Sequence, residues 1–159
     1  MTIFEYGEYS LDYAKPDNMV EVFEASAKNF PNNLLFGEKN AQGAYQWVTY
    51  AQIAQRIDDF RGGLAQLGVT QGDTVGIIAN NRKEWLVGEI ATQGLGAAWV
   101  PMYEKELIAT WKYIIRDAAV KVLLVSKPEI YNKVKDFPKE IPTLKCILVI
   151  DATGDNSMG

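Results

Sequence analysis

The sequence predicts an α/β fold in which helices pack on a parallel β-sheet, preceded by a helix and a short β-hairpin. Four strands are predicted, at residues 74–79, 97–100, 121–125 and 146–150, and the first lacks polar alternation, which is typical of a strand covered on both faces. Segments of helical periodicity separate them, and the connections are short. Strand–helix repeats of this kind favour a parallel sheet with helices packed against it.

The N-terminal elements are predicted from capping signals and turn residues. Asn18 with Glu21 forms a capping box that begins a helix, and Pro31 ends it. Two short β-like runs follow at residues 34–36 and 45–48, with a polar glycine-containing turn between them. This pattern predicts a β-hairpin.

A second capping box, Thr49 with Gln52, begins the next helix, and Gly68 is a natural left-handed stop. Gly62 and Gly63 weaken this helix, and a close neighbouring helix would explain them. Its apolar side chains recur at three- and four-residue spacings, which predicts one buried face: Tyr50, Ile53, Ile57, Phe60, Leu64 and Leu67.

The helices of the parallel sheet are predicted in the same way. Asn81 with Glu84 reads as a third capping box, and Gly96 ends that helix. Two further helices are predicted at residues 104–117 and 129–136.

Composition excludes several function classes. The 159 residues carry a formal net charge of −4, which argues against a nucleic-acid partner because such a protein needs a basic face. Histidine is absent, so the commonest general base and metal ligand are missing. A single cysteine, Cys146, excludes an internal disulfide and is predicted to lie in the core.

No targeting or membrane-spanning segment is predicted. The N-terminus carries acids where a secretory signal carries basic residues. The weakly charged stretch at residues 90–103 is broken by glycine and proline and is shorter than the roughly 20 apolar residues that span a bilayer. The sequence therefore predicts a cytoplasmic protein, with peripheral membrane contact left open.

Motifs for nucleotide or nucleophilic chemistry are absent or misplaced. The Gly94-Leu95-Gly96 segment resembles the start of a dinucleotide fingerprint, but it closes a helix instead of opening one. The pair Asp58 and Asp59 is interpreted as a solvated helix face. Neither GxxxxGK[ST] nor GxSxG occurs.

The tryptophans divide into two groups. Trp47, Trp85 and Trp111 fall on apolar faces and are predicted to lie in the core. Trp99 and Tyr103 are placed at and just past the carboxyl end of a predicted parallel strand, where open α/β sheets bind ligands. They are candidates for a ligand site, with core packing as the alternative.

Three segments carry a family resemblance. GDTVGIIANNRKEW resembles the strand–helix segment of AMP-forming (adenylate-forming) acyl-CoA synthetases, and GLGAAWVPMYE resembles the following strand of those enzymes. WKYIIRDAAVKVLLVS is similar to the version found in the long-chain fatty acid–CoA ligases. The resemblance extends over residues 18–150 and implies the first part of the large N-terminal domain of an adenylate-forming ligase.

The resemblance implies a chemistry. The full enzymes join a fatty acid to ATP with release of pyrophosphate, using Mg²⁺, and then transfer the acyl group to coenzyme A. The family's Ser/Thr/Gly-rich loop ending in Pro-Lys-Gly is not found here, so no catalytic residue, metal ligand or cofactor is assigned to this chain. By position and resemblance, the candidate substrate-binding residues are Trp99, Pro101, Met102, Tyr103 and Glu104.

The expected organisation is an arm at residues 1–17, a partial ligase domain at 18–150 and a loop-like truncated tail at 151–159. The expected function is the N-terminal portion of a long-chain fatty acid–CoA ligase, inactive alone. The alternative is a stand-alone, non-catalytic interaction module of the same fold, and a complete small enzyme would need residues that the sequence lacks. An exposed strand edge is expected to promote self-association.

Overall fold

The computed structural model describes residues 16–152. The predictions for residues 1–15 and 153–159 lie outside this range. The chain divides into two compact units, residues 1–55 and 56–159, and each is described by itself.

The first unit contains a helix, an antiparallel hairpin and the start of a second helix, with bounds α1 Met19–Asn29, β1 Leu34–Lys39, β2 Tyr45–Thr49 and α2 Tyr50–Gln66. Asn18 caps α1 by accepting the Glu21 N–H at 3.0 Å. The Thr49 N–H donates to the Gln52 side chain at 2.9 Å, and the Gln52 N–H donates to the Thr49 hydroxyl at 3.3 Å. Both capping boxes therefore position helices as predicted.

Trp47 is not a core residue, contrary to prediction, because 51% of it is exposed. It pairs across the hairpin with Gly37, and a Cβ at that glycine would lie 2.8 Å from the indole ring. The ring also stacks on Tyr45 at a centroid distance of 5.8 Å. The missing side chain at Gly37 lets Trp47 lie flat along the exposed face of the hairpin.

The second unit contains the parallel sheet, and its strand order β4-β3-β5-β6 confirms the predicted fold class. Its elements, besides the end of α2, are β3 Thr74–Ile78, α3 Lys83–Gln93, β4 Ala98–Met102, α4 Ile108–Asp117, β5 Val122–Val125, α5 Pro128–Val134, a 3₁₀ turn at Phe137–Lys139 and β6 Cys146–Val149.

The helices lie on both faces of this sheet. Leu123 and Val125 of β5 belong to one core cluster with Trp111 of α4 and Ile130 of α5. Leu124, between them, lines a hollow on the other face together with residues of α2 and α3. Because neighbouring side chains of a strand point to opposite faces, α4 and α5 cover one face and α3 covers the other.

Two helix starts differ from prediction. Arg82, not Asn81, takes the N-cap position of α3 and makes no side-chain cap bond, so the predicted Asn81–Glu84 capping box is wrong. Helix α4 begins at Ile108 instead of residue 104, because Glu104 makes contacts with other strand ends. The predicted stop is confirmed: Gly96 has φ 71°, and its conformation closes the C-terminus of α3.

Two smaller predictions also need correction. Among residues 16–152, nothing lies within 4 Å of a Cβ built at Gly62 or Gly63, so no helix of this range explains these glycines. Cys146 is half-buried and not fully in the core, because β6 is an edge strand of the described sheet.

Candidate functional site

The carboxyl ends of β3 and β5 form the crevice expected to bind ligands. These strands are neighbours, yet the chain leaves β3 towards α3 on one face and leaves β5 towards α5 on the other. The two loops therefore diverge. In open α/β sheets, ligands bind at such a point of diverging connections.

Glu104, which follows β4, lies in this crevice and is held by groups that follow the two other strands, β3 and β5. Its Oε1 accepts the Asn80 N–H at 3.2 Å, and its Oε2 lies 3.0 Å from Lys127 Nζ. Burial raises the pKa of Glu104. The Ser126 hydroxyl, the Lys127 ammonium and the Asn80 N–H together lower it by more, so the pKa of Glu104 lies below its ordinary value. Glu104 in turn raises the pKa of Lys127. At neutral pH the two side chains are therefore a charged pair.

Arg82 connects the loop after β3 to the residues after β6. Its guanidinium donates to both oxygens of Asp151, at 2.9 and 2.7 Å, and its Nε donates to Glu84 at 2.6 Å. Asp151 and Glu84 raise the pKa of Arg82, although burial lowers it, and Arg82 lowers the pKa of Asp151. Arg82 thus stays charged and fixes the geometry of this side of the crevice.

This arrangement favours recognition of a charged group over proton transfer. Lys127 and Arg82 are cations whose carboxylate partners hold them in place, and the Lys127 side chain is 44% exposed. A phosphate or carboxylate can share or replace Glu104 as the partner of Lys127. Within residues 16–152, no group of three or more Cys, Asp or Glu side chains is arranged to hold a metal ion.

The predicted site residues are separated by the structure. Tyr103 is 61% exposed beside Glu104, so these two lie at the crevice end of β4. Met102 is 3% exposed and belongs to the core cluster with Trp111. Pro101 is exposed within β4.

Trp99 is not at the carboxyl end of its strand, contrary to prediction, because β4 continues to Met102. The strand passes through Pro101, which an edge strand tolerates because it needs no N–H on its free side. The indole of Trp99 instead packs on Gly88 of α3, where a Cβ would overlap the ring.

Sequence reasoning missed four crevice residues: Asn80, Arg82, Lys127 and Asp151. Each lies within four residues of the end of a strand. The rule that ligands bind beyond the carboxyl ends of parallel strands was the signal that could have identified them.

No helix among residues 16–152 has the length and apolar character needed to cross a membrane.

Sequence comparison finds relatives that match most of this chain. Residues 23–158 match the family described as AMP-binding enzyme. The peroxisomal long chain acyl-CoA synthetase 7 of Arabidopsis thaliana is 29% identical over 88% of this chain and 20% of its own length. Long-chain-fatty-acid–CoA ligase 6 of Mus musculus is 28% identical over 90% of this chain and 21% of its own length. This chain therefore spans about a fifth of these relatives.

Solved structures share the fold. The coronafacic acid ligase of Pectobacterium brasiliense superposes with a TM-score of 0.76 at 20% identity, covering 87% of this chain and 27% of that one. The fatty acyl CoA synthetase of Mycobacterium tuberculosis gives 0.74 at 18% identity, covering 89% of this chain and 30% of that one. With the family match over most of its length, this chain belongs to the AMP-binding enzyme family, the adenylate-forming ligases.

Proposed function

We propose that this chain contributes to an AMP-forming ligase that joins a long-chain fatty acid to coenzyme A. The observation that carries the proposal is the match, over about nine-tenths of the chain, to relatives named for this activity. In such a reaction the fatty acid carboxylate attacks the α-phosphate of ATP and pyrophosphate leaves. The coenzyme A thiol then displaces AMP from the acyl-adenylate.

Within that reaction, we propose that the crevice lies on the acyl and coenzyme A side. Tyr103 offers an exposed aromatic surface, and Lys127 offers an exposed cation that pairs with Glu104, the residue after Tyr103. An aromatic surface and a cation at one crevice suit the nucleotide part of coenzyme A, which has both a flat base and phosphates. Before the ligand binds, Glu104 holds the Lys127 side chain in position. The phosphates of the ligand then compete with Glu104 for this lysine.

In this proposal the ligand does not contact Trp99, Pro101 or Met102, which instead support the residues that it does contact. Trp99 fixes one face of β4 by packing on Gly88 of α3, and Met102 fixes the other face by packing in the core cluster around Trp111. Pro101 stiffens the backbone just before Tyr103. Their role is to position the strand end.

We further propose that this chain alone does not complete the reaction. The Ser/Thr/Gly-rich loop ending in Pro-Lys-Gly, which the family resemblance assigns to ATP, is not found in the sequence. The residues of 16–152 do not fit a Mg²⁺ site, so no step is assigned to the metal here. ATP and Mg²⁺ then act through groups of the complete enzyme.

Coenzyme A titration followed by amide NMR tests the site. We expect saturable shifts confined to the amides of Asn80, Tyr103 and Lys127, and weaker binding for Lys127→Met. Lys139→Met is the matched control, because Lys139 pairs with Asp136 on an exposed turn and should bind as the original chain does. Absence of shifts at saturating ligand, or equal weakening in both variants, would refute the assignment of this site.

An activity assay tests the second part. We expect no fatty-acid-dependent ATP–pyrophosphate exchange and no acyl-CoA from the purified chain. Turnover by the chain alone would overturn the proposal that other groups are required.

A further inference from the structure

The Glu104 carboxylate lies in a pocket formed by three groups that can donate hydrogen bonds. Its Oε1 accepts the Asn80 N–H at 3.2 Å, and its Oε2 lies 3.0 Å from Lys127 Nζ. The third group is the Ser126 hydroxyl, which is near enough to lower the pKa of the Glu104 carboxyl. Ser126 is 2% exposed, and its hydroxyl makes no hydrogen bond of good geometry to any group of residues 16–152. A buried hydroxyl without a full partner indicates room for a better-placed acceptor.

The donors of this pocket are held by backbone bonds at the strand ends. The Ser126 N–H donates to the Ile78 carbonyl at 3.0 Å, and the Ser126 carbonyl accepts the Asp151 N–H at 2.9 Å. On the β3 side, the Ala79 N–H donates to the Met102 carbonyl at 3.2 Å. None of these bonds involves the carboxylate, so the donors keep their places without it. Fixed donors of this kind are what an anion site requires.

The carboxylate, in contrast, belongs to a side chain that can move. Glu104 lies in the loop between β4 and α4, and several rotatable bonds separate its carboxylate from the backbone. The Glu104 side chain is 10% exposed, whereas that of Lys127 is 44% exposed. An anion that approaches Lys127 from solvent therefore reaches the pocket from its open side.

The contacts in the pocket favour a planar anion with two oxygens. The two oxygens of Glu104 contact different donors, and a carboxylate of another molecule can make both contacts at once. A single-atom anion such as chloride cannot. Exchange of one carboxylate for another also leaves the charge of the pocket unchanged.

We propose that Asn80, Ser126 and Lys127 form a carboxylate-binding pocket, and that Glu104 is its built-in occupant. An external carboxylate binds there when the Glu104 side chain is displaced or removed. A ligand that needs Lys127 must first displace Glu104, which lowers the apparent affinity of that ligand. This regulation of ligand binding rests on the proposed function, whereas the pocket itself does not.

Chemical rescue tests the pocket. Glu104→Ala removes the carboxylate and keeps the three donors, so acetate should raise the melting temperature of this variant in a saturable way. Chloride at the same ionic strength should not. Asp136→Ala is the matched control, because it removes an exposed carboxylate beside Lys139 and should show no saturable response. The absence of a rise with acetate in Glu104→Ala, an equal rise in the control, or a larger rise with inorganic phosphate would overturn the proposal.

A second test keeps Glu104 in place. Ser126→Ala removes the buried hydroxyl, so a carboxyl-carbon NMR titration should show the pKa of Glu104 shifted upward from its value in the original chain. Ser26→Ala is the matched control, because the Ser26 hydroxyl donates to the Val22 carbonyl within α1 and should leave that pKa unchanged. An unchanged pKa in Ser126→Ala would remove the hydroxyl from the pocket and contradict the proposal.

Coenzyme A tests the regulation separately. Glu104→Gln keeps the size of the side chain and removes its charge, so coenzyme A should bind roughly twofold to fivefold more tightly than to the original chain. Equal affinities of the two chains would show that Glu104 does not regulate the crevice. If acetate stabilises Glu104→Ala but neither chain binds coenzyme A, the pocket is supported and the proposed function is wrong.

Discussion

The buried indole of Trp111 donates its Nε1–H to the backbone carbonyl of Tyr103 at 2.8 Å. Trp111 is 0% exposed in helix α4, whereas the Tyr103 side chain extends outward from the end of β4. One hydrogen bond thus fixes the backbone from which the exposed aromatic side chain of the crevice projects. The core and the candidate site are joined through this bond.

Trp111→Phe should therefore destabilise the protein and loosen the loop after β4. Loss of the indole N–H leaves the Tyr103 carbonyl without this donor and removes buried volume, so we expect the free energy of unfolding to fall by about 1–3 kcal/mol. Trypsin should also cut faster at Lys105, in the exposed part of this loop. Tyr103→Phe is the control, because it keeps the carbonyl; equal effects of both variants would contradict this role.

Two helical glycines should respond to alanine in opposite directions. A Cβ at Gly88 would overlap the ring of Trp99, so Gly88→Ala should lower the free energy of unfolding by about 1–3 kcal/mol. Gly62 lies in the interior of α2 with open space around it, so Gly62→Ala should raise the free energy of unfolding by about 0.5–1 kcal/mol. Denaturant melts of the two variants measure both effects.

The contact with Trp99 can be tested by compensation. Trp99→Leu should recover part of the stability lost in Gly88→Ala, because the smaller side chain leaves room for the new methyl group. If the two losses simply add, the glycine is not needed for the tryptophan.

Local signals explain which parts of the fold the sequence predicted well. Asn18 and Thr49 cap their helices through partners three residues away, so short-range pattern suffices. Glu84 follows Asn81 at the same spacing, but Arg82 bonds it and also reaches Asp151, 69 residues further along the chain. No local pattern contains that contact.

The tryptophans also show that a local sequence pattern does not predict contacts between distant residues. Trp111 and Trp47 both lie on apolar faces of periodic segments, yet Trp111 is fully buried and Trp47 is 51% exposed. The difference for Trp47 comes from Gly37 on the paired strand, which makes room for the ring on the hairpin surface. Strand periodicity predicts a face but not what that face meets. The candidate site was located only in part for this reason, since its charged pairs join the ends of different strands.

The Arg82 network should contribute measurably to stability. Arg82→Met removes the cation that satisfies two carboxylates, and Glu84 is partly buried, so we expect a loss of about 1–2 kcal/mol in the free energy of unfolding. Asp136→Asn breaks an exposed pair with Lys139 and is the control, with no measurable loss expected. Urea denaturation compares them, and a stable Arg82→Met variant would show that the pairs only orient the loop.

Acid should destabilise the fold partly through Glu104. Its pKa in the folded protein is below the ordinary value of 4.5, so the carboxylate contributes stability that is present above that value. This contribution is lost as the pH falls through the lowered folded-state pKa, when the Lys127 pair breaks. Glu104→Gln has no charge to lose, so its stability should decline less steeply than that of the original chain as the pH falls below about 5. Asp151, Glu84 and Asp73 also have lowered pKa values and keep some acid sensitivity in the variant. Thermal melts across this pH range give both profiles, and parallel curves would show that the Glu104–Lys127 pair adds nothing to folding.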